Sequence, residues 1–138
     1  MYKITIVKDS SYAGYLDTFK VEQNGPSVLL THEAEGFMNL DKESHTRELS
    51  LQESQTISKS FENINFYKIL EESDILMGYD DWILKCTVSN GMTEVTVSLW
   101  CPDEAPSKPE TTKLLKACDY ICDFFLTSLL VRIILYYI

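Results

Sequence analysis

Carboxylates are the most abundant chemistry-bearing groups in this chain, and they cluster. Glu71, Glu72 and Asp74 lie together, Asp80 adjoins Asp81, and Asp103 adjoins Glu104. Paired carboxylates can exchange protons with a substrate when their surroundings push their pKa values apart. These stand in irregular polar sequence, which favours a solvated face over an acid–base site. Aromatic residues are interleaved with them: Tyr79, Trp82 and Trp100. Aromatic side chains rimmed by acids suit a protein partner. The partner-binding set expected from the sequence is therefore Glu71, Glu72, Asp74, Tyr79, Asp80, Asp81, Trp100, Asp103 and Glu104. Trp82 is equally well read as core.

Other chemistries find less support. The chain has no Gly-rich phosphate loop, no His-Glu-x-x-His and no nucleophile elbow. Its two histidines, His32 and His45, have no catalytic partner nearby in sequence. The run "ESDILMGYDD" lacks the alternating Asp ligands of a calcium loop. Cysteines stand at 86, 101, 118 and 122 without a Cys-x-x-Cys pair, so neither zinc nor any other cofactor is expected. Their placement suits buried free thiols in a cytoplasmic protein.

The net charge is −9, and it is unevenly spread. Residues 33–81 hold twelve acidic and four basic residues, while the flanking thirds are nearly neutral. Such a balance opposes binding to nucleic acid phosphates or to an anionic membrane. It suits either plain solubility or docking of a basic partner, with encounter accelerated by charge.

The elements that must hold these residues are legible in part. At 138 residues the chain is one domain, residues 1–138. "YKITIVK" alternates as a strand and has no apolar run of a secretory signal. "YLDTFKVE" and "SVLLTH" flank Gln23-Asn24-Gly25-Pro26 as a hairpin. "EAEGFMNLDKESH" reads as a polar loop and "TREL" as a short strand. Ser50 with Glu53 three residues on forms a capping box, which opens a helix over residues 51–62. Ile57, Phe61 and Ile64 form its apolar stripe. Residues 63–81 read as irregular.

"WILKCTVSNGMTEVTVSLW" is the clearest hairpin. A two-residue Asn90-Gly91 turn sets Ser89 against Met92, Val88 against Thr93, Cys86 against Val95, Leu84 against Val97 and Trp82 against Leu99. That face is apolar, while Lys85, Thr87, Thr96 and Ser98 face water. Pro109 and Glu110 then open a helix with Leu114, Cys118, Ile121, Cys122 and Phe125 on one stripe. Run to the end it would exceed the width of a domain this size, so a break is expected at Thr127-Ser128. Asp119, Asp123 and Arg132 interrupt any membrane-spanning window.

The runs "GYDDWILKCTVSNGMTEVTVSLWCP" and "KLLKACDYICDF" resemble a pattern in small bacterial proteins. In these a turn and an aromatic start a strand, a hairpin ends in Trp-x-Pro, and a helix closes the domain. Some of them resemble immunity proteins of polymorphic toxin or contact-dependent inhibition systems. The resemblance covers roughly residues 78–124 and departs from the pattern at Asp81, where a glycine is expected. It implies a bacterial cytoplasmic binding protein.

The expectation is an α+β fold: an antiparallel sheet of five or six strands, a central short helix, and a long C-terminal helix on one face. The expected function is a non-enzymatic, immunity-type protein that occludes the active site of a cognate basic toxin, a nuclease being one candidate. The alternative is an accessory or scaffolding protein that forms a homodimer through its apolar C-terminal tail. An enzyme with a site assembled from scattered acids ranks last.

Overall fold

The computed structural model describes residues 2–10, 15–36, 43–72, 83–100 and 109–137. Six strands form one antiparallel sheet: β1 (Lys3–Ser10), β2 (Tyr15–Asn24), β3 (Ser27–Gly36), β4 (Glu43–Glu48), β5 (Ile83–Ser89) and β6 (Glu94–Trp100). Their spatial order is β4-β3-β2-β1-β5-β6. Between β4 and β5 the chain forms α1 (Leu51–Glu62) and α2 (Phe66–Glu72), and α3 (Pro109–Tyr137) closes it. This is the expected α+β architecture with one helix more.

The sheet follows from period-two alternation. Ile4 and Ile6 of β1, Phe19 and Val21 of β2, Leu30 of β3, Leu84 and Cys86 of β5, and Val97 and Leu99 of β6 are all buried. The register places all of them on one face, where a one-residue slip would expose the set. Ile57 and Phe61 of α1, Ile69 of α2, and Leu114, Cys118 and Ile121 of α3 complete the same core. Each fully buried aliphatic side chain contributes about 1.5–3 kcal/mol.

The first hairpin turns at Gly25, whose φ is +62°, and Pro26. Proline cannot take positive φ, so the pair gives the positive-then-negative pattern of a type II′ turn. The second hairpin differs from expectation. Ser89 pairs with Glu94, Val88 with Val95, Cys86 with Val97 and Leu84 with Leu99, a register two residues from the predicted one. The loop is Asn90–Thr93, because the Asn90 carboxamide Oδ1 accepts the N–H groups of Met92 and Thr93 at 3.0 and 2.9 Å. Gly91 takes φ +94° and Met92 is left exposed. An even shift keeps every side chain on its predicted face.

Two stretches expected to be irregular are regular. Glu33–Gly36 extends β3 and Glu43–His45 begins β4, so the predicted polar loop is shorter at both ends. Residues 66–72 form α2, whose start is held by Asn65: its Oδ1 accepts the N–H groups of Tyr67 and Lys68. The expected break at Thr127-Ser128 does not occur. α3 runs unbroken for 29 residues, about 43 Å at the standard rise. Among the described residues no helix is long and apolar enough to cross a membrane.

One ion pair ties three elements together. Arg47 of β4 donates to both carboxylate oxygens of Glu53, at 3.0 and 2.6 Å, and to the Phe124 carbonyl of α3 at 2.8 Å. Glu53 also completes the capping box with Ser50. The Arg47 bonds, joined by the Ser50 N–H and opposed by burial, lower the Glu53 pKa from 4.5 to about 2.

Two expectations follow. Leu84→Asp places an unpaired charge in the core and should cost several kcal/mol, on the order of 3 or more, in urea unfolding. Thr96→Asp, on the exposed face, should cost under about 1 kcal/mol, and equal losses would mean the faces are inverted. For Glu53, the unfolded chain takes up the proton near pH 4.5 and the folded chain only near 2. The unfolded state therefore binds more protons in this window, and stability falls as pH drops from 4.5 toward 2. Glu53→Gln should flatten that limb of an acid titration followed by circular dichroism.

Candidate functional site

The β5–β6 ladder ends in the pair Ile83 and Trp100. The chain enters β5 from residues 73–82 and leaves β6 into residues 101–108. Asp81 is two residues from Ile83, within about 7 Å along the chain, and Asp80 is one further. Asp103 follows Trp100 by three residues. The pairing thus ties the attachment points of both acid-bearing segments to one corner of the sheet. Asp74, Tyr79, Asp80, Asp81, Asp103 and Glu104 themselves lie outside the described residues, as do Trp82 and Cys101.

α2 packs against β6 and α3. Glu71 and Glu72 belong to its last turn. Ile69 is fully buried and fixes the orientation of the helix. Tyr67 is 79 % exposed, and Glu71 occupies the position one helical turn after it. Tyr67 was missed at the sequence level because α2 was read as irregular, so its exposure had no helix to be judged against.

α3 is anchored to the start of α2. Glu110 is buried and accepts the Asn65 N–H at 3.0 Å and the Lys113 ammonium at 3.0 Å. The Asn65 N–H, and then Lys113, hold its carboxyl below the usual range. Glu110 is thus a joint between α2 and α3 rather than part of a surface.

A second polar cluster lies on the helix-covered side of the sheet, on β2, β3 and β4. The register pairs His32 of β3 with His45 of β4. His32 Nε2 lies 3.0 Å from Asp17 Oδ1, and its ring stacks on Phe19 with centroids 4.5 Å apart. Sequence reasoning separated these histidines because it placed His45 in a loop. On the same side, Cys122 interacts with Lys8. Burial pushes the Cys122 thiol up, and the Lys8 ammonium offsets this only in part. The Cys86 sulfur, and then burial, push Cys118 well up. Thiols held protonated in this way are poor nucleophiles, so neither Cys118 nor Cys122 is activated. Among the described residues no three His, Cys, Asp or Glu side chains converge on a metal position.

No family model matches the chain, and a search of curated proteins returns no similar sequence.

Cys86, Cys118 and Cys122 should resist alkylation by iodoacetamide in the native state and react only after denaturation, as read by peptide mass spectrometry. Rapid labelling of any of the three in the folded protein would contradict their burial.

Proposed function

We propose that this chain is a non-enzymatic, immunity-type binding protein that acts in the cytoplasm and neutralises a basic toxin by covering its active site. The observation that supports it best is the Ile83–Trp100 pairing, which ties the attachment points of two acid-bearing segments to one corner of the sheet, while α2, with its exposed Tyr67, packs on the same strand β6. An exposed aromatic amid acids supplies both halves of a protein interface. The ring supplies area to bury, and the charge steers a cationic partner. Along residues 33–81 twelve acids stand against Lys42, Arg47, Lys59 and Lys68. A nuclease fits such a partner, since its site already attracts phosphates.

A second reading, self-association through the tail, is favoured by the unbroken course of α3 to Tyr137. That course continues residues 125–137 as a helix whose sequence is apolar on nearly all sides. A concentration-dependent mass would support it.

The test of the first reading is kinetic. The product of the adjacent reading frame, used as a catalytically inactive variant, serves as the probe. Glu71→Gln, Glu72→Gln, Asp80→Asn and Asp81→Asn together should slow association about tenfold at low salt and flatten its salt dependence. Unfolding should shift little, since surface carboxylates contribute under about 1 kcal/mol each. Asp119→Asn with Asp123→Asn, exposed on α3, should change neither. Absence of binding to the probe, or equal rates for both variants, would defeat the reading.

A further inference from the structure

β4 and β6 are the edge strands of the described sheet, and they differ in kind. β4, ESHTRE, carries Glu43, Arg47 and Glu48. β6, EVTVSLW, carries one charge, Glu94 at its first position, and has neither proline nor lysine. Its pairing with β5 runs residue for residue from Glu94 to Trp100, without a bulge. Charge, proline and bulges are the usual guards of a sheet edge, because a strand with one open side is a template for another. β6 has none of them beyond Glu94, and no described element pairs with its outer side. Thr96 is exposed, whereas Thr5 and Thr87 of the same row are half-buried, so the edge is open to water at its middle.

Hydrogen-bond parity fixes what this edge offers. The Asn90 N–H donates to the Thr93 carbonyl at 3.2 Å, so that pair turns its backbone groups toward each other across the hairpin. Alternation along an antiparallel ladder then turns those of Val95, Val97 and Leu99 toward β5. The other side of the sheet gives the same parity. The Tyr2 carbonyl accepts the Gln23 N–H at 3.2 Å, which aims the backbone groups of Ile4 and Ile6 at β2 and those of Thr5 at Thr87. Glu94, Thr96 and Ser98 are therefore left with N–H and C=O groups directed outward. Their side chains lie on the uncovered face and are exposed, while Val97 and Leu99 are buried on the covered one.

A second copy of the same strand matches this edge. Antiparallel pairing joins outward residues to outward residues, and the register of full overlap sets Thr96 against Ser98 of the second copy and Val97 against itself. Val95 then adjoins Leu99 of the second copy, so the apolar rows of the two cores run on. Charge agrees with this arrangement. Glu94 stands at one strand end, so the two copies of it lie about 20 Å apart, beyond the screening length of about 10 Å at 0.1 M salt. One seven-residue strand is small beside the roughly 800 Å² a side of a standard interface, so the association is reversible, with a Kd on the order of micromolar or weaker.

We infer that the outer edge of β6 joins two copies of this chain into a continuous antiparallel sheet, about a two-fold axis at Val97. The inference is independent of the function proposed above, and it uses a surface other than the end of α3. The experiment is light scattering from about 1 μM to 1 mM on the parent and two variants. Thr96→Lys with Ser98→Lys sets like charges opposite each other across the axis, and Thr96→Glu with Ser98→Glu does so with the other sign. Each variant alone should associate at least about tenfold more weakly than the parent, and their equimolar mixture should pair at least as tightly as the parent. Circular dichroism melts check that both fold. A parent that stays monomeric at 1 mM overturns the inference, as does a parent dimer that both variants keep. A mixture that fails to pair overturns it too. If the parent is monomeric and the variants lose binding to the product of the adjacent reading frame, the edge takes a strand of that partner and the second copy is excluded.

Discussion

One-sided burial is the constraint from which the rest of this molecule follows. In five of the six strands, β4 excepted, the buried apolar residues point to the same side. Three helices from two separate chain segments share that side's core. A sheet covered on one face only must keep the other face wet, and here it does so with threonine, lysine and glutamate. Threonine answers both demands at once, since its β-branched carbon suits a strand and its hydroxyl suits water. The order β4-β3-β2-β1-β5-β6 extends the constraint. The chain inserts β5 beside β1 only after α1 and α2 have crossed the covered face. The helices are therefore joined to the sheet at its two flanks, β4 and β6.

Those flanks are where polar bonds do what apolar packing cannot. At β4, Arg47 bridges the start of α1 and the middle of α3. Beside α2, Glu110 joins the Asn65 backbone to α3. Their carboxylates, Glu53 and Glu110, stand at helix starts, where unpaired N–H groups and partial positive charge already need a partner. Each fixes direction, which non-directional hydrophobic contact leaves free. The cost of taking these charges from water is offset by multiple bonds at short distance, as for Arg47 with its three. Removing one partner of such a pair is worse than replacing both, because the survivor keeps its charge and loses its counterpart.

The sequence made some of this readable and hid the rest for identifiable reasons. Ser50 and Glu53 announced α1 to the residue, since a capping box is a local pattern with a local cause. The faces of β5 and β6 were legible from alternation, but their register was not. The turn is set by the Asn90 carboxamide, which competes with the ladder for the N–H groups of Met92 and Thr93. α2 was missed because seven residues are too few to show a stripe, and its cap, Asn65, draws on Glu110 from 45 positions away. The pairing of His32 with His45 required knowing that β4 begins at Glu43. At the candidate site, residue types were legible and their assembly was not. Trp100 and the acids looked like binding material, but only the sheet register ties their segments to one corner and shows which face is uncovered.

This separation of faces has an energetic consequence. Folding draws on Ile6, Leu30, Leu84, Ile57 and Ile121 and their neighbours, all turned to the shared core. Thr5, Thr18, Lys85 and Thr96, turned to water, contribute little to it beyond strand propensity. Residues on the two faces alternate along the same strands, so the core fixes the outward side chains in position without contacting them. Side chains held in this way lose little ordering entropy in any contact they make. The outward positions can also change in charge and shape with small effect on the fold, since substitutions away from the core usually shift stability by under about 0.5 kcal/mol. A protein that must match one particular partner benefits from that independence, because specificity is altered by adding or removing repulsive groups at the surface.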